Sequence, residues 1–225
     1  MRQSLAERLK SETRALHVGV ERSAFMGRLL RGSLARPAYC ALLRNLHSIY
    51  AALEPAMERH LANPVIAPLV LPGLWRALPL EHDLAALHGP DWRAAFPVAA
   101  ATRAYVERLH ELERTRPALL AAHAYVRYLG DLSGGQVLRG IVSRSIAGAD
   151  AGAVAFYDFG DDERTLGLKR SFRSGIESIA VDEGGVSALV DEAAAAFVRH
   201  GQLFEELETA HPGVRGPGAT DAARH

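Results

Sequence analysis

The chain has 225 residues, 48% hydrophobic and 23% charged, which is enough apolar material for a sizeable core and too much for a disordered chain. Lys and Arg together number 26, as do Asp and Glu, so a formal net charge of zero excludes a whole-surface attraction to nucleic acid or anionic membrane. The single cysteine, Cys40, excludes an internal disulfide and any multi-cysteine metal site, and it suits a reducing compartment.

The N-terminal MRQSLAERLK carries charges where a signal peptide needs an apolar run, and no segment reaches the length of a membrane span, so a cytoplasmic protein is expected. Ser4 and Glu7 have the spacing of a capping box. Leu5, Leu9, Leu16 and Val20 continue at helical spacing, predicting a first helix to about Glu21. A short helix through Met26 and Leu30 should stop near Gly32. Pro37 suits the first turn of a third helix, whose apolar stripe runs from Tyr39 to Leu53. Prolines at 64, 68, 72 and 79 predict a surface-hugging connection from Asn63 to Pro79. Helical pattern returns over Leu80–His88, Pro97–Thr115, Pro117–Ala147, Asp162 to about Asp182, and Val186–Thr209. Ala153–Phe159 is the one strand-like stretch, and HPGVRGPGATDAARH closes the chain as a polar, Gly/Pro-rich tail. The pattern predicts an all-α, single-domain bundle of seven to eight helices over residues 1–210, a flexible tail over 211–225, and a monomer.

The segment Ala121–Ile141 is unusual, because it is strongly helical yet places Gly130, Gly134 and Gly135 within six positions. Each glycine inside a helix costs ~1 kcal/mol relative to alanine. The glycines either mark a turn between two helices, or admit a closely packed neighbour, or bare the backbone to a flat ligand. Gly130 and Gly134 share a face at i, i+4, so a planar ligand could approach the backbone there. Arg127 and Asp131 are also four apart, a spacing at which the arginine can hold the carboxylate ionised and oriented, suited to ordering water.

YLGDLSGGQVL, Tyr128 to Leu138, resembles the distal-helix signature of the heme oxygenases. LKSETRALHVGVE, SAFMGRLL, HSIYAALE, AYVERLHE and AFVRHGQLFEEL follow the family's order and spacing, so the resemblance covers roughly Leu5 to Thr209. It is strongest to the soluble, biliverdin-producing bacterial members. The resemblance implies that heme b, as substrate and cofactor, is sandwiched between a proximal N-terminal helix and a Gly-kinked distal helix. It implies O2-dependent opening at a meso carbon, the alpha carbon foremost, to biliverdin, Fe2+ and CO. It assigns His17 as the axial iron ligand, with Glu21 beside it. Lys10, Lys169 and Arg173 match propionate-edge positions, Arg14 lies beside them on the first helix, and Tyr125 matches a position near a propionate. Gly130, Gly134 and Gly135 match the distal face, Asp131 and Arg127 the catalytic water network, and Phe197 and Tyr50 pocket-wall aromatics. Gly175 departs from the pattern, since relatives often carry a basic residue there, and this puts the basic rim at that point in doubt.

No dinucleotide fingerprint occurs, so electrons are expected from an external donor, a ferredoxin or an NAD(P)H-dependent reductase. A di-iron bundle would need a second Glu-x-x-His step besides Glu107–His110, and the sequence has none. His47, His60, His82, His88, His123 and His200 read as surface or packing residues. The alternative reading is a heme carrier that never cleaves its ligand. A cofactor-free helical scaffold would leave the costly glycines unexplained.

Overall fold

Helix α1, Leu5–Glu21, starts at the expected capping box: the Ser4 hydroxyl accepts the Glu7 N–H at 3.2 Å, and the Ser4 N–H donates to the Glu7 carboxylate at 2.8 Å. The computed structural model describes residues 3–147 and 153–213. Helix α2, Ala24–Leu30, stops before Gly32, whose φ of 67° is the left-handed geometry that glycine adopts without strain. Helix α3, Arg36–Arg59, carries Pro37 in its first turn and also Pro55 in its interior, where an intrahelical hydrogen bond is lost.

The connection after α3 differs from its expected character. It makes two single 3-10 turns, Ala67–Leu69 and Pro72–Leu74, but Val65, Ile66, Leu69 and Leu74 are buried, so the segment plugs the core rather than hugging the surface. Helix α4, Ala77–His88, begins three residues earlier than expected, because Pro79 falls in its first turn, where its missing N–H costs nothing. Its N-terminal N–H groups are met from outside the helix: Glu54 of α3 accepts from Arg76 N–H at 2.5 Å and Ala77 N–H at 3.2 Å.

A one-turn helix α5, Trp92–Ala95, precedes α6, Ala100–Thr115. After a 3-10 turn, α7 runs unbroken from Leu120 to Val142, and a π-turn extends it over Ser143–Ala147. The glycines therefore do not mark a turn between two helices. No strand forms among the described residues, and the Ala153–Phe159 stretch makes a 3-10 turn at Ala155–Tyr157 instead. That stretch is pinned by side chains: Asp83 accepts the N–H groups of Ala155 and Phe156 at 2.7 and 2.9 Å, and Arg76 donates to the Phe156 and Asp158 carbonyls at 3.2 and 2.8 Å. Helix α8, Asp162–Ser178, ends four residues short of expectation, and α9, Glu183–Ala210, is the longest element.

Among the described residues the chain is all-helical, with nine α-helices, the one-turn α5 accounting for the excess over the expected number. Helix α9 packs on α1, α2, α6 and α7, while α3 packs on α4, α6 and α7. Tyr39, Tyr50, Tyr105, Tyr128, Phe25, Phe156 and Phe172 fill the interior without exposure. The tail lies largely outside the described residues, which end at Gly213.

Candidate functional site

Helices α1, α7, α8 and α9 wall a cleft of about 970 Å³. Its volume is at the upper end of the range of small-molecule sites. Lys10, Arg14, His17 and Glu21 enter it from α1 at helical spacing, so one face of that helix supplies all four. Opposite them, α7 presents Tyr125, Gly130 and Gly134; α8 contributes Arg173 and α9 Phe197.

The two facing sides differ in character. The His17 side chain is 48% exposed, its Nε2 lies 3.5 Å from the Glu21 carboxylate, and its ring meets Phe197 edge-on at 5.6 Å. An imidazole this accessible is free to take a ligand. On the α7 side, a Cβ built at Gly130 or Gly134 would meet nothing within 4 Å, so no neighbouring helix explains these glycines. Gly135 differs, since its Cβ would touch the Tyr157 ring at 3.5 Å, so it serves packing behind the helix. A bare helical backbone facing an open imidazole fits a wide, flat ligand coordinated from one side. Lys10, Arg14 and Arg173 are exposed and have no ion-pair partner among the described residues, so they can receive anionic groups at the rim.

Asp131 and Arg127 belong to a different layer. Asp131 follows Gly130 and so leaves α7 about 100° round from the bare face. Its carboxylate accepts from Arg127 Nη2 at 2.9 Å and from the Tyr50 hydroxyl, while Arg127 Nε donates to the same hydroxyl at 3.1 Å. Burial pushes the Asp131 carboxyl above the ordinary carboxylate range, and the attraction of Arg127 opposes this without cancelling it. The Arg127–Asp131 pair forms as the i, i+4 spacing predicts, and desolvation sets the carboxyl above the range of an exposed aspartate. Tyr50 is wholly buried and is a polar partner of Asp131, not a wall of the cleft.

Lys169, one turn before Arg173 on α8, is half-buried and stands outside the residues that line the cleft. Gly175 has a steric explanation, because a Cβ there would fall inside the envelope of the Pro68 carbonyl oxygen. Any side chain there would force the backbone to shift, so position 175 adds no basic group to the rim. Sequence reasoning missed Thr13, buried one turn before His17 and bonded to the Leu9 carbonyl at 2.6 Å, and also Ser133 and Glu177. Thr13 could have been found from its i, i+4 spacing to His17.

The chain is similar to known proteins over most of its length. The family model described as heme oxygenase matches residues 3–206. Heme oxygenase 1 of Rattus norvegicus is 40% identical over 210 residues, covering 92% of this chain and 73% of the relative. Heme oxygenase 1 of Nostoc sp. is 36% identical over 208 residues, covering 92% and 87%. The crystal structure of heme oxygenase-1 from the cyanobacterium Synechocystis sp., in complex with heme, superposes with a TM-score of 0.86 at 35% identity, covering 92% of this chain and 94% of that one. The heme oxygenase of Leptospira interrogans gives 0.86 at 32% identity, covering 91% and 100%. Likeness in sequence and in backbone thus runs through the helices that wall the cleft, and on that basis this chain belongs to the heme oxygenase family.

Proposed function

We propose that this chain binds heme in the α1/α7 cleft and opens it at a meso carbon to biliverdin, Fe2+ and CO, using O2 and electrons from a separate donor. The observation that carries the reading is the accessible His17 imidazole facing a helix face that has no side chains at Gly130 and Gly134. Bound heme would supply the iron at which O2 is reduced and the ring carbon that is oxidised.

The residues of this chain then divide the work. His17 offers a neutral imidazole to the iron, with Glu21 near enough to orient the ring. Lys10, Arg14 and Arg173, with Lys169 behind them, meet the propionates, and Tyr125 and Phe197 wall the pocket. Together these contacts fix the rotation of the macrocycle, and the Gly130/Gly134 backbone restricts the space above it, which favours one meso carbon, the alpha carbon. Asp131, positioned by Arg127 and Tyr50, orders water beside that face and passes protons without placing an acid directly on the reacting oxygen. Gly135 lets Tyr157 support the helix from behind.

Residues 1–210 would act as one monomeric domain. The site has no nicotinamide or flavin fingerprint, so a ferredoxin or an NAD(P)H-dependent reductase is the proposed donor, met in the cytoplasm. Among the described residues no helix is long and apolar enough to cross a membrane.

Adding hemin without oxygen, then reductant with O2, tests the reading. A Soret band that bleaches into a biliverdin spectrum is expected. A band that persists unchanged would make the chain a heme carrier, and no band would remove heme from its function.

A further inference from the structure

A second cavity, of about 260 Å³, lies outside the heme cleft and shares no lining residue with it. Three connections of the bundle meet the start of α9 there. Asn63 and Val65 come from the α3–α4 connection, Arg116 and Leu119 from the α6–α7 connection, and Val181 from the α8–α9 connection. Ala188 and Leu189 close the cavity from α9. A cavity of roughly 150 Å³ already holds a benzene ring, so this one admits an aliphatic body of about eight carbons.

Its walls are held by the protein's own backbone bonds. Arg116 donates its N–H to the Leu112 carbonyl at 2.8 Å, and its carbonyl accepts from Leu119 at 2.9 Å. Asn63 donates to the His60 carbonyl at 2.8 Å, and its carbonyl accepts from Ile66 and Ala67 at 3.0 and 2.9 Å. Val181 lies directly against the first turn of α9, since a Cβ at Gly185 would come within 2.8 Å of the Val181 Cβ. A cavity fixed in this way needs little ordering when it binds. Val65, Leu119 and Leu189 are buried, so its body is apolar. The polar side chains at its edge offer donors. Arg116 is exposed, and its guanidinium has no carboxylate partner among the described residues. Asn63 Oδ1 accepts the Val65 N–H at 2.9 Å, which orients the amide and leaves both Nδ2 hydrogens without a protein acceptor among the described residues. No Asp or Glu among the described residues lines the cavity, and the Asp182 carboxylate beside it accepts the Gly185 N–H at 2.8 Å.

We propose that this cavity binds a medium-chain monocarboxylate, with its aliphatic body among Val65, Leu119, Val181 and Leu189 and its carboxylate on Arg116 and the Asn63 amide. A guanidinium and two amide hydrogens, with no acidic side chain beside them in the lining, match a carboxylate and would leave an ammonium group unpaired. The apolar body calls for a hydrocarbon chain, which a bare oxyanion lacks. The site is separate from the heme cleft, so it stands or falls independently of the oxygenase reading.

Octanoate titrated into the methyl-labelled, ligand-free chain tests this by NMR. The methyl signals of Val65, Leu119, Val181 and Leu189 should shift. No shift at millimolar octanoate, or shifts confined to Val18, Leu129 and Ile176 of the heme cleft, would overturn the proposal. Octan-1-ol carries the body without the charge and acetate the charge without the body; each should bind at least about tenfold more weakly than octanoate. Arg116→Gln changes an exposed side chain and should weaken octanoate about tenfold, the scale of one charge-assisted hydrogen bond. Ala188→Leu should fill the cavity and abolish the octanoate shifts. Octanol binding as tightly as octanoate, an unchanged affinity in Arg116→Gln, or shifts that survive Ala188→Leu would each overturn the assignment. N-acetyl-leucine binding more tightly than octanoate would make the cavity a seat for a peptide C-terminus and overturn it as well. If Ala188→Leu does not fold, the octanol comparison and Arg116→Gln still decide.

Discussion

Asp131 is held by two neighbours that act differently on its charge. Arg127 stabilises the carboxylate by opposite charge, and the Tyr50 hydroxyl donates a hydrogen bond to it, yet burial still raises its pKa. Acidification therefore protonates Asp131 at a higher pH than it would an exposed aspartate, and turnover that needs the ionised form should fall away correspondingly early as pH is lowered. Asp131→Asn keeps the size and removes the charge; hemin binding should survive while biliverdin yield falls about a hundredfold, the contribution typical of a positioned proton-transfer group. Single-turnover absorbance with hemin, reductant and O2 measures both, and an undiminished yield would take Asp131 out of the reaction. The Arg127–Asp131 pairing is legible in the sequence because four residues on a helix share a face. The Tyr50 contact spans 81 positions, and no local spacing announces it.

Helix α7 shows how one residue type serves different ends within a single element. Gly130 and Gly134 face open space, Gly135 faces Tyr157, and Gly175 on α8 sits against the Pro68 carbonyl. Alanine at these places should therefore act in opposite directions. Gly130→Ala should raise the ligand-free stability by up to ~1 kcal/mol, since the helix gains and nothing is struck. The same methyl stands where the macrocycle would lie, so hemin affinity should drop about tenfold, as for overpacking by one methyl group. Gly175→Ala should instead cost ~1–3 kcal/mol, because backbone must move. Urea unfolding and hemin titration separate the cases; a destabilised Gly130→Ala would mean that the bare face is filled by protein. The sequence marked the glycines as anomalous but could not tell open face from close packing, because that distinction depends on the neighbouring element.

At the scale of the whole molecule, the helix order was readable from 3.6-residue periodicity, while two connections were not. The Asn63–Pro79 segment is rich in proline and reads as surface, yet its Val65, Ile66, Leu69 and Leu74 are buried in the core. The 153–159 stretch alternates like a strand, but Asp83 and Arg76 satisfy its backbone groups, so it needs no partner strand. Both are decided by distant polar side chains or by volume left between helices. The same assembly leaves α1 joined to the body chiefly along α9 and α8, with the cleft between it and α7. A ligand bonded to His17 and pressed on α7 would tie those halves together. Hemin at a hundredfold excess over its Kd should stabilise the fold by about 2.7 kcal/mol, which raises Tm by roughly 5–10 °C for a chain of this length. Because the His17 side chain is about half exposed, His17→Ala should change the ligand-free stability by less than ~0.5 kcal/mol. It should nevertheless shrink the hemin-induced rise in Tm and abolish the imidazole-ligated spectrum. Thermal unfolding of both proteins with and without hemin checks this, and an equal rise in the two would place the iron bond on another histidine.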